Sequence, residues 1–297
     1  MNKPHALSRL FAREHQGYLF VLPALILFLL VLAFPIGYAI YLSFFKVNPD
    51  FSLEFIGWQN FVDALQDEYF WNAFKNTFIY TAISVTLHLL IGMGLALALN
   101  NTWFKGRKLL RVLFLIPWTI SFVVTAVTWQ WLLNAQYGLL NAILRHFGLI
   151  SANITWLGSA TLAMPSAIAV NVWRGYPFAM VMIYAGLQLI PEDQYEAALV
   201  DGASRLQLFR YITLPNLRGT IVTTTVLDMI WVFTQFDLIQ VLTAGGPARK
   251  TELLTNLIYR VSFSFYDFGA GSAIATIMLV VVLVMSLIYV RALEARV

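Results

Sequence analysis

Along this chain, long apolar runs alternate with short polar ones. Six runs reach the roughly 20 mostly apolar residues that a helix needs to cross a bilayer: 18–45, 76–100, 112–133, 162–190, 217–240 and 271–290. The pattern predicts an all-α integral membrane protein with six transmembrane helices in a single domain over 18–290, flanked by tails at 1–17 and 291–297. The first run sits where a secretory signal would. It is too long, contains Pro23 and Pro35 and lacks a small-x-small cleavage site, so it is read as an uncleaved first span.

One stretch, 191–215, breaks the rhythm because it is polar and carries charges of both signs. A helix-forming run from Pro191 to Val200 meets Asp201-Gly202, and a second amphipathic run from Ser204 to Ile212 meets Leu214-Pro215. This spells two short helices joined by a glycine turn and ended by a proline, lying on the membrane surface. Ala197 and Ala198 leave room for a partner to approach, Glu196 offers it a charge, and Gly202 permits a positive φ at the turn.

Composition agrees with the membrane reading. Hydrophobic residues make up 60% of the 297 and charged residues only 11%, against about 25% charged in a soluble domain. The net charge of +4 is a matter of topology. Lys3, Arg9 and Arg13, then Lys105, Arg107, Lys108 and Arg111, then Arg205, Arg210 and Arg218, then Arg291 and Arg296 fall on one side of a six-span chain. That side is cytoplasmic by the positive-inside rule, with both termini inside. The acidic first loop, with Asp50, Glu54, Asp63, Asp67 and Glu68, then lies outside with the loops around Arg145 and Arg249. No basic patch interleaved with aromatics points to nucleic acid. Without cysteine there is no disulfide, thiolate metal site or cysteine nucleophile.

Polar groups at membrane depth carry the candidate chemistry, since burying them unpaired costs several kcal/mol. At about 1.5 Å rise per residue, Arg174 and Phe178 on the fourth run share a layer with Trp231 and Gln235 on the fifth. Asn171, Arg174 or Gly175, Phe178 and Met182 repeat at helical spacing on one face, as do Thr224, Asp228, Trp231 and Gln235. Rings that stack on a pyranose and amides that bond its hydroxyls suit a sugar. Interhelical bonding is the alternative use for the same polar groups. Gly175-Tyr176-Pro177 predicts a break in the fourth helix.

The 191–215 segment resembles the EAA loop of the membrane-spanning subunits of ATP-binding-cassette importers, in particular the carbohydrate-uptake class of the maltose and glycerol-phosphate permeases. Phe55-Ile56-Gly57 with Asn60-Phe61, Asn76-Thr77, Asn171 to Pro177, and Leu242 to Pro247 extend the resemblance over nearly the whole chain. It implies that Glu196, Ala197, Ala198, Asp201 and Gly202 dock into an ATPase subunit, and that Asn171, Arg174, Gly175, Phe178, Trp231 and Gln235 contact the sugar. Asp228, lower on the fifth helix, either lines the path or pairs with a neighbouring span. The implied partners are a second homologous permease, two ATPase subunits that bind ATP and Mg, an extracytoplasmic solute-binding protein, a sugar-type solute and membrane lipid. No cofactor or metal is expected on this chain, and no catalysis.

Arg174 stands where the maltose-type pattern has an aliphatic residue. Its guanidinium either recognises a sulfonate, phosphate or carboxylate on the sugar, or pairs internally with Asp237. An ion-coupled secondary transporter is the rival reading; Asp228 supplies a titratable group, but the 191–215 segment is left without a role. Among weaker signals, Ala244 to Thr251 lacks the Gly-Lys pair of a phosphate loop and reads as an external turn. His88 has no partner at ligand spacing and reads as a hydrogen-bonded core histidine. Gly269 to Ala273 offers a small-residue surface for close helix packing.

Overall fold

The computed structural model describes residues 16–100 and 106–294, which are mostly helical. Lys3, Arg9, Arg13, Lys105 and Arg296 of the charge pattern lie outside the described residues. The chain divides into two units.

The smaller unit takes in 16–64 and 261–277. Helix α1 (Gln16–Phe28) passes through a π turn (Leu29–Ala33) into α2 (Phe34–Leu42), so the first apolar run is helical only to Leu42. A short antiparallel hairpin follows, β1 (Phe45–Val47) with β2 (Leu53–Phe55), then α3 (Gln59–Gln66). Buried Asn60 donates to the carbonyls of Ser43 and Phe45 at 3.0 and 2.9 Å, which explains its place in the Phe55 to Phe61 motif. Helix α14 (Phe268–Glu294) begins in this unit, and its glycines do permit close packing. A Cβ on Gly271 would overlap the Ser262 hydroxyl, and one on Gly269 the Phe45 carbonyl.

The larger unit, 65–260 with 278–294, carries the remaining helices. Its axis is α4 (Glu68–Asn100), which lies along α8 (Ala163–Leu187). Gly92 makes the approach possible: a Cβ there would sit 2.7 Å from the Met180 backbone nitrogen. Tyr80, Ile168, Leu238 and Ile239 belong to the core packed toward the start of both helices of this pair, and Ala96, Met180, Ile183 and Leu217 to the core packed toward their ends.

The third apolar run is two helices where the sequence predicts one. Helix α5 (Arg107–Thr119) stops after Pro117, and α6 (Phe122–Leu132) starts at a 95° bend. Ser121 caps α6 by accepting from the Val124 amide at 3.3 Å, so the new helix start is stabilised locally. Conversely, α8 runs unbroken through Gly175-Tyr176-Pro177, where a break was expected. A proline removes one backbone donor, and the packing of α8 on α4 holds the helix across that gap.

Among the described residues, three helices qualify as spans by length and composition, Val21–Leu42, Glu68–Asn100 and Phe268–Arg291, with the bent α5–α6 pair as a fourth. The fourth and fifth runs form α8 and α11 (Leu214–Phe233), but both carry polar residues such as Asn171, Arg174, Thr224 and Asp228 that reduce their apolar character.

Candidate functional site

Two helix breaks build the site. Helix α11 ends at Phe233, the chain turns through Thr234–Phe236, and α12 (Asp237–Leu242) restarts. Thr255 holds the turn by donating its hydroxyl to the Gln235 carbonyl at 2.5 Å. This turn and the α5–α6 bend line an open cavity of about 500 Å³. Trp118, Thr119 and Phe122 line it from the bend, Thr234, Gln235, Phe236 and Asp237 from the turn, and Arg174 and Trp231 from α8 and α11. The volume lies inside the roughly 300–1,000 Å³ range of small-molecule sites.

Arg174 is held in place by groups that its sequence context did not suggest. Its Nε donates to the Ile120 carbonyl at 2.9 Å, and its guanidinium lies 3.4 Å above the Phe122 ring. The bend exposes that carbonyl at the C-terminus of α5, where a cation is favoured by the helix dipole and by an otherwise unmet acceptor. Asp237 lines the same cavity, yet among the described residues no ion pair joins it to Arg174. Trp231 is half exposed, and Phe178 supports it from behind with ring centroids 4.8 Å apart, edge to face. Trp118 also stacks on Phe178, with ring centroids 6.1 Å apart.

Asn171, Gly175 and Asp228 gather elsewhere, around His88 of α4. His88 Nδ1 is 2.8 Å from Asp228 Oδ2, and Nε2 is 3.2 Å from the Asn171 carbonyl. Gly175 leaves space for the imidazole, because a Cβ there would penetrate the ring. All of these side chains are buried, and His88 is the hydrogen-bonded core histidine expected of it. The predicted layer therefore separates into cavity-lining groups (Arg174, Trp231, Gln235, with Phe178 behind them) and a polar knot. Trp118, Thr119, Phe122, Thr234 and Phe236 were missed, because both breaks lie inside runs that read as continuous helices.

The polar stretch at 191–215 folds into α9 (Glu192–Val200), a turn with Gly202 at φ +78°, and α10 (Arg205–Leu208). Ser204 and Gln207 form a reciprocal capping box at the start of α10. Pro215 does not end the second helix. A π turn (Phe209–Thr213) carries α10 directly into α11, with Pro215 in the first turn of α11 where its missing N–H costs least. Glu196, Ala197, Asp201 and Gly202 are exposed and Ala198 is half-buried. Val200 at 88% and Leu206 at 74% exposure add apolar surface to the same segment. Tyr195 Oη bonds Thr213 Oγ1 at 2.9 Å and Asn216 donates to Gln194 at 3.0 Å, tying α9 to the base of α11.

Residues 88–297 match the family described as "binding-protein-dependent transport system inner membrane component". The chain belongs to this family. The trehalose/maltose transport system permease protein MalF of Thermococcus litoralis is 36% identical over 96% of each chain. The sulfoquinovosyl glycerol transport system permease protein SmoG of Agrobacterium fabrum is 34% identical over 94% of this chain and 90% of its own. Among solved structures, a chain of a bacterial ABC transporter involved in the import of the acidic polysaccharide alginate superposes with a TM-score of 0.85. It is 27% identical, over 97% of this chain and 98% of that one. This family membership accords with the resemblance carried by the 191–215 segment, and the chain is a transport-system membrane component.

Proposed function

We propose that this chain is a permease subunit of an ATP-driven importer that moves a sugar or sugar derivative across the inner membrane by alternating access. The cavity between the two helix breaks carries the reading. It combines the Trp231 ring, the Gln235 amide and the Thr234 hydroxyl, the group types that grip a pyranose, with the charged Arg174 and Asp237. Six spans, with α8 and α11 sheltered by their neighbours, put both termini in the cytoplasm. The named relatives act on trehalose or maltose, sulfoquinovosyl glycerol and alginate.

In this reading the exposed α9–Gly202–α10 segment is the surface on which an ATPase subunit pulls, through Glu196, Ala197, Ala198, Asp201 and Gly202. The working assembly pairs this chain with a second permease and two ATPases that bind ATP and Mg, fed by an external binding protein. Arg174 turns its remaining guanidinium nitrogens to an acidic group on the solute, with Nε fixed by Ile120. The assembly, purified with its co-expressed partner subunits and reconstituted in liposomes, is expected to accumulate sugar only with ATP and the binding protein. Uptake driven by an ion gradient without ATP would overturn the proposal in favour of the secondary transporter.

A further inference from the structure

We infer that the chain carries a second, outer saccharide subsite at the far end of α6, separate from the cavity that holds Arg174. A cavity of about 600 Å³ opens there, with Gln130 and Trp131 at the end of α6, Asn134 and Tyr137 in the loop after it, and Thr155 and Trp156 opposite. Trp131 and Tyr137 are 55% and 61% exposed, with ring centroids 6.3 Å apart, and form an aromatic shelf beside amide and hydroxyl groups. None of the residues lining it carries a charge. The chemistry fits a neutral pyranose unit, stacked on a ring and bonded through its hydroxyls.

The walls are fixed in advance. Asn134 accepts from the amides of Gln136 and Tyr137 at 2.8 and 3.3 Å, which sets the loop that bears Tyr137. Buried Asn141, on α7 (Leu139–His146), bonds the backbone of Ile154 and accepts from the Trp156 indole at 3.0 Å, which sets the opposite wall. Gln130 donates to the carbonyls of Val241 and Leu242 at 2.6 and 3.1 Å, joining α6 to the end of α12. A site whose walls need no ordering on binding loses less affinity to entropy.

Placement gives the subsite its use. Helices α6 and α12 each touch both cavities: Phe122 and Asp237 at one end line the inner one, and Trp131 and Leu242 at the other line the outer one. At 1.5 Å per residue the two are separated by about 7 to 14 Å of helix, the length of one or two sugar units. With the importer topology proposed above, on which this inference rests, the outer cavity faces the side where solute arrives. It receives one sugar unit while the inner cavity holds the next.

Photolabelling of the full reconstituted complex tests this, using a diazirine-bearing maltoside and peptide mapping, with ATP-driven maltose uptake followed in parallel. Two labelled regions are expected, one within 127–137 or 155–158 and one within 231–237. Trp131→Ala and, separately, Tyr137→Leu are expected to cut outer labelling about fivefold, the loss of one ring contact, and leave inner labelling in place. Tyr137 is exposed, so its variant keeps the test intact should Trp131→Ala fail to fold. Active uptake with inner labelling alone overturns the outer subsite and leaves the importer reading standing. Outer labelling that survives both ring variants also overturns it. Loss of ATP-driven uptake for every sugar, with labelling in neither cavity, overturns both.

Discussion

His88 and Asp228 meet at 2.8 Å between α4 and α11, 140 residues apart in sequence and both buried. The Asn171 carbonyl can only accept, so the His88 Nε2 that faces it carries a proton. Removing either partner leaves the other buried and unmatched, at a cost of about 3–5 kcal/mol. His88→Ala and Asp228→Ala are each expected to lower the unfolding midpoint of the purified complex sharply, and the double variant by much less than their sum. Strict additivity in that cycle would show that the two residues do not depend on each other.

Gly175→Ala reverses the usual sign of its substitution. Alanine in a helix normally gains about 1 kcal/mol over glycine, but here the new methyl would enter the His88 ring. A destabilised protein is expected, partly rescued when His88→Ala is added. Thermal unfolding of the four combinations decides it; a more stable Gly175→Ala protein would contradict the packing.

Arg174 separates charge from geometry. Lysine retains the charge but loses both the Nε bond to Ile120 and the planar stack on Phe122. Arg174→Leu is expected to reduce uptake of a sulfonated or carboxylated sugar at least tenfold more than that of a neutral one, and Arg174→Lys to keep part of that preference at a lower rate. Equal losses for both solute classes would assign Arg174 to holding the α5–α6 bend alone.

Gly202 has φ +78° with open space where a Cβ would point, so a substitution there acts through the backbone and not through a clash. Asparagine tolerates that region and valine does not. Gly202→Asn is expected to retain most uptake. Gly202→Val, inserted in the membrane at normal levels, is expected to leave ATP hydrolysis running with uptake reduced severalfold. Paired ATPase and uptake rates check this, and normal coupling in the valine variant would remove the turn from the coupling surface.

Glu252 predicts a pH effect. Burial pushes its carboxyl above the ordinary 4.5, against the opposing pull of Arg260 and Arg249. The folded state then keeps this proton to a higher pH than the unfolded state, so the contribution to stability is full below 4.5 and declines as pH rises through the folded value. Amide exchange around 243–253, corrected for intrinsic rates, is expected to slow as pH is lowered toward 4.5, with a flatter profile in Glu252→Gln. A wild-type profile as flat as the variant's would exclude the effect.

The helices were readable because runs of 20 apolar residues admit few other conformations, and the exposed loop at 191–215 because its polarity contrasts with everything around it. The breaks were harder to see. Ser121 is a helix-capping residue just after Pro117, but both are embedded in an apolar run that conceals them. The turn at Gln235 has no glycine or proline at all and is held from outside by Thr255. Pro177 and Pro215 misled in the opposite direction, one being carried by packing and the other serving a helix start. Arg174, Trp231 and Gln235 were found because polar and aromatic groups stand out in a span; Trp118 and Phe122 pass for ordinary apolar residues until the bend brings them to the cavity.

The uninterrupted passage from α10 through the π turn into α11 makes residues 205–233 one rod. From Leu206 to Trp231 it measures about 37 Å at 1.5 Å per residue. Its one irregular turn, Phe209–Thr213, carries an extra residue's worth of winding and is clamped by Tyr195. In the proposed coupling role, a pull on the exposed end is carried along this one rod without an intervening hinge loop. Trp231, at the far end, lines the cavity, so the exposed surface and the cavity wall are two ends of a single lever.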